Sequence, residues 1–158
     1  MDLLRPRLLE GVTVRVCGSG PFGGQVAARF AALGSATVET TPDVLVWDAS
    51  TPPMSVDDVR AVLDDGWDVI HAVANGGMLE RGGKIVLLAP TPGDAHAEAA
   101  RAGLENLART LSIEWARFNV RPVAIHPAGD GEPVAELCAY LASPAGDYFS
   151  GCVFSLSA

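Results

Sequence analysis

Basic residues are scarce in this chain, which has eleven lysines and arginines against nineteen aspartates and glutamates and a formal net charge of −8 at pH 7. Such an acidic chain repels nucleic-acid backbones and anionic membranes. Its three cysteines, Cys17, Cys138 and Cys152, form no C-x-x-C pair, so buried thiols are expected. No apolar run reaches the roughly eighteen residues of a membrane span, and no basic and apolar leader opens the chain. The sequence therefore predicts a cytoplasmic protein that binds no nucleic acid, membrane or metal.

What the chain does contain is a regular alternation of strand and helix patterns within one domain, residues 1–158. Apolar residues make up 49% of the sequence, and 17 glycines with 11 prolines keep the elements short. Ser55 with Asp58, and further on Asp94, are predicted helix N-terminal caps. The predicted strands are 12–17, 43–47, 84–89, 121–126 and 152–156, and the predicted helices are 24–34, 55–73, 95–117 and 133–142. This order predicts an α/β protein with a three-layer Rossmann-like fold and a mostly parallel sheet of about five to six strands.

Two segments near the N-terminus do not fit this alternation. Segments 36–40 and 43–47 are separated only by Thr41 and Pro42, whereas a crossover between parallel strands needs about a dozen residues. We therefore expect that they are not both parallel strands of one sheet, and that 36–40 is a crossing loop or one arm of a small hairpin. If 43–47 lies on the far side of the first strand, the short route strains the right-handed crossover rule, which leaves the strand order open here.

A glycine-rich loop follows the first predicted strand. Gly18, Gly20 and Gly23 fit G-x-G-x-x-G, in which the glycines let the backbone turn tightly and approach a pyrophosphate at a helix N-terminus. Pro21 removes one donor from this loop. A dinucleotide also needs an acid after the second strand, and Glu39 lies at about that spacing. Either the three glycines bind NAD(P) as cofactor-binding residues, or the loop is a turn that only packs the first helix; we favour the turn and expect no cofactor.

The stretch from Asp94 to Pro127 resembles the catalytic helix, the next strand and the Pro-Gly turn of the short-chain dehydrogenase/reductase family. In that family the helix carries a Tyr that exchanges the substrate proton and, four residues later, a Lys that lowers the Tyr pKa. Those positions are His96 and Ala100 here. Lys84 is the only lysine in the sequence, so no other Tyr-x-x-x-Lys pair exists. The resemblance covers most of the chain and is strongest from residue 82 onward.

Other positions of the family's site differ in the same direction. The family's catalytic Ser follows its fifth strand, where this chain has Leu-Leu-Ala-Pro at 87–90. Its Asn-Asn-Ala-Gly run is replaced by residues 47–50, which place the Trp47 indole and the Asp48 carboxylate near an anionic cofactor. The family's substrate-covering segment is reduced to 129–132, and part of the N-terminal half that walls the adenine pocket is missing. The resemblance implies a truncated, degenerate member with no catalytic residue.

The segments that resemble the family most closely are those that form the interfaces between subunits in the family. In the family, the two helices that correspond to 55–73 and 95–117 pack against the same pair in another subunit. The last helix and strand, 133–142 and 152–156, form a second interface. A monomer is expected to expose apolar residues of these helices, including Leu111 and Trp115, and exposed apolar patches usually mark a partner.

Three hypotheses follow, in order of preference. The first is a non-catalytic subunit, or pseudoenzyme, that forms a hetero-oligomer with an active short-chain dehydrogenase and stabilises or modulates it; a homo-oligomer through the same surfaces is the variant of this hypothesis. The second is a nucleotide-binding sensor or regulator that uses the loop Gly18–Gly23. The third is a divergent NAD(P)-dependent oxidoreductase that uses His96 or His126, although an exposed or capping role is expected for these histidines.

Overall fold

The computed structural model describes residues 3–157, and these residues form one six-stranded sheet in the order β2-β1-β3-β4-β5-β6, with every neighbouring pair parallel. The predicted three-layer α/β architecture is therefore confirmed. The strands are β1 (Thr13–Gly18), β2 (Ala36–Thr37), β3 (Val44–Asp48), β4 (Gly83–Leu88), β5 (Val120–His126) and β6 (Val153–Ser155). The helices are α1 (Gly23–Ala32), α2 (Val56–Val73), the single turn α3 (Leu79–Arg81), α4 (Ala95–Glu114) and α5 (Gly131–Ala142), with a π-helical turn at Ala74–Met78 and 3-10 turns at Ala116–Phe118 and Pro144–Tyr148.

The sheet is buried on both faces because its strands alternate apolar side chains between two helical layers. In β3, Val44 and Val46 belong to the core under α1 and α5, where Phe30 is fully buried. Leu45 points to the opposite core under α2 and α4, which contains Ile70. This arrangement leaves the ends of the strands, and the outer faces of the helices, as the surfaces on which a site can form.

The connection from β2 to β3 overturns one prediction. Both segments are parallel strands, on opposite sides of β1, although only residues 38–43 join them. The crossing is possible because β2 ends at Thr37 opposite Val14 and β3 begins at Val44 opposite the same residue. The chain must therefore move sideways by only about 10 Å, two strand spacings, without returning along the sheet. Six extended residues reach roughly twice that distance.

The short crossing also keeps the usual handedness. Thr41 Oγ1 donates a hydrogen bond to the Gly76 carbonyl at 2.7 Å, and the Arg81 guanidinium donates to the Thr41 carbonyl at 2.8 Å. These contacts place the crossing on the face of α2 and α4, opposite the face on which α1 connects β1 to β2. The connection from β2 to β3 runs across the sheet in the direction opposite to that from β1 to β2, and on the opposite face. The two connections therefore have the same handedness, and the crossover rule is satisfied. The strand order therefore places 43–47 on the far side of β1.

Lys84, the only lysine, stabilises the end of α5. The Lys84 side chain is 12% exposed, and its ammonium group lies 2.7 Å from Asp147 Oδ1. It donates hydrogen bonds to the carbonyls of Leu141 (3.0 Å), Ala142 (3.3 Å) and Ser143. A cation at the C-terminal end of a helix satisfies carbonyls that have no partner within the helix. Lys84 is thus committed near the start of β4, at the sheet edge opposite the glycine loop.

Candidate functional site

The N-terminus of α1, where the glycine motif would place a phosphate if a dinucleotide bound, already holds a carboxylate of the chain itself. Asp48, the last residue of β3, is 1% exposed. Its Oδ2 accepts hydrogen bonds from the backbone N–H groups of Phe22 at 2.9 Å and Gly23 at 2.5 Å. Its Oδ1 accepts from the Ser50 N–H at 3.1 Å and from the Ser50 hydroxyl. A helix N-terminus favours negative charge, and here Asp48 supplies that charge.

The three glycines of the loop all approach Asp48 closely. A Cβ at Gly18 would lie 2.2 Å from the Asp48 carbonyl oxygen, and one at Gly20 would lie 2.0 Å from Asp48 Oδ1. At Gly23 the corresponding distance to Oδ2 is 3.3 Å. Gly20 also donates its backbone N–H to the Asp48 carbonyl at 3.1 Å. The requirement for glycine at these positions is therefore explained by the packing of Asp48, without a bound ligand.

These residues do not fit an anionic dinucleotide. Two backbone donors of the α1 N-terminus are taken by Asp48, and the adjoining cleft is lined by Asp58 and Asp65 with no basic side chain. Glu39, the predicted ribose-binding acid, lies on the crossing 38–43 in a groove with Arg15 and the end of α2. The structure therefore does not bring Glu39 together with the glycine loop in one cavity.

The positions of the family's Tyr and Lys lie in the first turns of α4. Asp94 caps this helix by accepting hydrogen bonds from the N–H groups of His96 at 3.0 Å and Ala97 at 3.1 Å. The Ala97 hydrogen bond, and then His96, lower the pKa of Asp94. The ring of His96 lies 3.4 Å from Asp94 Oδ2, which the extended cap residue permits although the two residues are two apart. Ala100 is fully buried. Asp94 is therefore the cap, as the sequence predicts, and His96 is a partly exposed residue of the first turn whose ring contacts that cap.

His126 differs from its predicted exposed or capping role. Its side chain is 12% exposed, at the end of β5 beneath α4. Nε2 is buried and makes no hydrogen bond within residues 3–157, and its nearest carboxylate oxygen, Glu105 Oε2, is 4.0 Å away. Arg101 also faces this region and donates to the Pro90 carbonyl at 2.7 Å. Burial, and then the Arg101 charge, lower the pKa of His126. The alternation of side chains along β5 could have predicted this burial, because Ala124 and His126 point to the same face of the sheet, which α4 covers.

This burial of His126 predicts an acid-sensitive contribution to stability. The native state disfavours protonation, whereas the unfolded chain takes up the proton near pH 6.5, the ordinary histidine pKa. The unfolded state therefore binds more protons below that value, and the free energy of unfolding should fall as the pH falls from 7.5 to 5.5. Urea unfolding across this range measures the slope. His126→Gln should flatten it, and an equal slope in the wild-type protein and this variant would contradict the assignment.

An apolar groove runs along the outer face of the α2 and α4 pair. Leu63, Trp67 and Leu107 line a cavity of about 330 Å³ together with Gly103, where a Cβ would lie 2.8 Å from a Leu63 methyl group. Trp67 is 40% exposed, and Ile113, on the outward side of α4, is 80% exposed. We refer to this surface, residues 63, 67, 103, 106, 107 and 110, as the α2–α4 groove.

The composition of this exposed surface corrects one prediction. Leu111, which was expected to be exposed, is 4% exposed and packs into the core under α4. Trp115 is partly buried and stacks against Trp67 at 6.4 Å between ring centroids. At the other predicted interface, Tyr140 of α5 is 38% exposed. In the turn between its two elements, Tyr148 is 89% exposed beside Phe149, which packs edge-on against Phe154 of β6. Both predicted assembly surfaces therefore present aromatic side chains to solvent.

Two sequence expectations concern metals and membranes. Within residues 3–157 no group of three histidine, cysteine or acidic side chains is placed to hold a metal ion. None of the helices in that part of the chain is long and apolar enough to cross a bilayer. The three cysteines are free thiols; Cys138 is buried, as predicted, whereas Cys17 and Cys152 are partly buried.

The all-parallel sheet, the two helical layers and the glycine loop after β1 define a Rossmann-like α/β domain. No protein-family model matches the chain. Solved structures resemble it along nearly its whole length. A citronellol catabolism dehydrogenase of Pseudomonas aeruginosa aligns with a TM-score of 0.78 and 24% identity, covering 98% of this chain and 97% of that chain. A putative 2-deoxy-D-gluconate 3-dehydrogenase of Agrobacterium tumefaciens, whose structure contains NADP, aligns with a TM-score of 0.79 and 19% identity, covering 98% of each chain.

A hydroxysteroid dehydrogenase of Escherichia coli gives a further match, with a TM-score of 0.76 and 16% identity over 96% of this chain and 97% of that chain. These similarities are below 25% identity and establish the fold. The chain has the fold of the short-chain dehydrogenases/reductases, as the residues 94–127 indicated.

Proposed function

We propose that this chain is a non-catalytic short-chain dehydrogenase-like subunit that assembles with an active short-chain dehydrogenase and stabilises or modulates it. The observation that carries the proposal is the α2–α4 groove, in which Trp67 and its apolar neighbours are exposed on a helix pair. The family resemblance implies that this pair packs against the same pair of another subunit. An exposed aromatic side chain of this kind is a typical centre of a protein interface.

The residues at the family's reaction positions support a non-catalytic role. Ala89 and Ala100 are fully buried and carry no group that can exchange a proton. His96 contacts its own cap residue, Asp94. Lys84 cannot replace the missing lysine because its ammonium group is held by the end of α5 and by Asp147. We therefore propose that any activity belongs to the partner.

The charge of α2 favours a different chain as the partner over a second copy. Arg60 is the only lysine or arginine in this helix, whereas five carboxylates of the helix are exposed. These are Asp57, Asp58, Asp64, Asp65 and Asp68. Asp64 and Asp68 flank Trp67 on the helix, so a symmetric pair of identical helices repeats these carboxylates on both sides of the interface, and like charges opposite each other oppose association. A partner with basic residues at the facing positions removes this repulsion.

We propose further that this subunit binds neither NAD nor NADP, because Asp48 takes the donors of the α1 N-terminus. Thermal unfolding with NADH, NADPH or a mononucleotide tests this directly. A ligand that binds only the native state raises the midpoint by mass action. A clear rise would favour the sensor hypothesis, and turnover that is lost in His96→Ala or His126→Ala would favour the oxidoreductase hypothesis. The free thiols Cys17, Cys138 and Cys152 suit a reducing compartment, and we place the complex in the cytoplasm.

The test of assembly uses a matched pair of α2 variants. Trp67→Asp places a carboxylate at the centre of the α2–α4 groove, and we expect it to abolish co-purification of the partner. Ala72→Asp makes the same type of change on the same helix, at an exposed site five residues beyond Trp67, on the opposite side of the helix and outside the groove. It should retain the partner in full. Both folds are checked by circular dichroism. Equal retention by the two variants would contradict the proposed interface.

A further inference from the structure

A second cavity lies beside the glycine loop, at the carboxyl ends of β1 and β3. It has a volume of about 560 Å³ and is bounded by the end of β1, by residues 51–54 and by one face of α2. We call it the Trp47 cleft, after the side chain at the end of β3 that lines it. The connections from β1 to β2 and from β2 to β3 run on opposite faces of the sheet, which makes this the switch point where ligands of open α/β sheets bind. Its volume lies in the range of roughly 300–1,000 Å³ that is usual for small-molecule sites.

We propose that the Trp47 cleft binds a small organic cation, an amine or quaternary ammonium group carried on an apolar body. The walls that would receive the apolar body are formed by Trp47, Met54, Val62 and Pro53. The indole of Trp47 is held in place by α2, since a Cβ at Gly66 would lie only 2.8 Å from its Nε1. A fixed aromatic wall costs little conformational entropy when a ligand packs against it.

The cationic group is selected by the α2 side of the cleft. Asp58, Ala61, Val62 and Asp65 are spaced at i, i+3, i+4 and i+7 and therefore share one face of the helix. The two carboxylates lie two turns apart, about 10 Å along the axis. Asp58 Oδ2 accepts a hydrogen bond from the Met54 N–H at 3.0 Å. Asp65 makes no hydrogen bond or ion pair within residues 3–157, so its charge is available to a ligand.

The same cleft disfavours anions. No lysine or arginine lines it, and the α1 N-terminus beside it is neutralised by Asp48. A phosphate in the cleft would face Asp58 and Asp65 without a compensating charge. A cation gains from the two carboxylates and from the adjacent indole of Trp47, since ammonium groups are attracted to aromatic rings. The cleft is thus distinct from the α2–α4 groove, and its ligand does not depend on the proposed assembly.

The experiment is a calorimetric titration of the purified chain, with its partner where one co-purifies, using benzyltrimethylammonium as the probe. Benzyl alcohol offers the same ring without charge, and phenylacetate offers it with the opposite charge. We expect the cation to bind more tightly than either. Asp65→Asn should weaken its binding roughly three- to fivefold, the range for one partly solvated charge pair. Asp64→Asn removes a neighbouring exposed carboxylate that does not line the cleft and should leave the dissociation constant unchanged.

A second variant tests the location independently of charge. Ala61→Phe fills the cleft from the exposed face of α2 and should abolish binding while the unfolding midpoint is retained. Absence of binding by the cation would overturn the proposal, and so would binding of benzyl alcohol or phenylacetate as tight as that of the cation. Tighter binding of NADH or NADPH than of the cation, lost in Ala61→Phe, would assign the cleft to a nucleotide instead.

Discussion

Asp48→Ala should lower the free energy of unfolding by about 3 kcal/mol, with no ligand present. The substitution removes the acceptor for the N–H groups of Phe22 and Gly23 and for the N–H and hydroxyl groups of Ser50. All of these donors lie around a side chain that is 1% exposed, so water does not readily replace the carboxylate. Unsatisfied buried donors cost about 1–3 kcal/mol each, partly relieved by relaxation. Urea unfolding measures the difference.

Asp48→Asn separates shape from charge and hydrogen-bonding capacity. Both carboxylate oxygens of Asp48 accept, one from α1 and the other from Ser50. An amide has one acceptor and one donor group, so its NH₂ must face an N–H on one of the two sides. We expect the free energy of unfolding to fall by about 1–2 kcal/mol, which is less than the fall expected for Asp48→Ala. Asp64→Asn, at an exposed position, should change stability by less than about 0.5 kcal/mol. An Asp48→Asn protein as stable as wild type would contradict this role for the carboxylate.

Gly20→Ala should be strongly destabilising, because it adds a methyl group against the side chains of Asp48 and Ser50. Its Cβ would lie 2.0 Å from Asp48 Oδ1 and 2.4 Å from Ser50 Oγ, and neither atom can move without breaking the bonds that hold Asp48. We expect a destabilisation of about 2–3 kcal/mol, typical of overpacking in a closed site. If the glycine served only to admit a phosphate, the same change would leave the stability of the free protein unaltered.

The chain offers a matched control for this substitution. Gly24 lies in the first turn of α1, and a Cβ there would meet no atom within 4 Å. Gly24→Ala should stabilise the protein by up to about 1 kcal/mol, because alanine has the higher helix propensity. The double variant Asp48→Ala with Gly20→Ala should cost less than the sum of the single changes, since the first removes two of the three atoms that clash with the second and frees the third, Ser50 Oγ, from its bond to Asp48. Additive losses would show that Gly20 is constrained by something other than Asp48.

The alternation of strands and helices was predictable because each element carries its own period in the sequence. In β3 the apolar residues fill both cores, and α2 begins where Ser55 and Asp58 predict a cap, with the Ser55 hydroxyl accepting from the Asp58 N–H at 3.1 Å. The short β2 was not predictable, since a two-residue strand has no period and its pairing depends on β1. Length rules for crossovers failed there because they assume strands of ordinary length.

The site was only partly predictable for a related reason. The sequence located Gly18, Gly20 and Gly23 and indicated a carboxylate beside them. It did not predict that Asp48 binds the α1 N-terminus, because Asp48 is separated by 26 and 25 positions from the two residues whose N–H groups it accepts. Helical phase explains the error at Leu111. It lies on the buried stripe of α4 with Leu104 and Ala108, whereas Ile113, two residues on, faces solvent. A shift of two residues turns a helical side chain to the other face.

The central claim is that the chain is a subunit whose partner carries the chemistry. The most direct measurement is affinity purification of the tagged chain from its native lysate, followed by mass spectrometry of the proteins recovered in stoichiometric amount. The account predicts a short-chain dehydrogenase that retains its own Tyr-x-x-x-Lys pair, present with the wild-type chain and lost with Trp67→Asp. Recovery of the chain alone as a homo-oligomer would contradict the account.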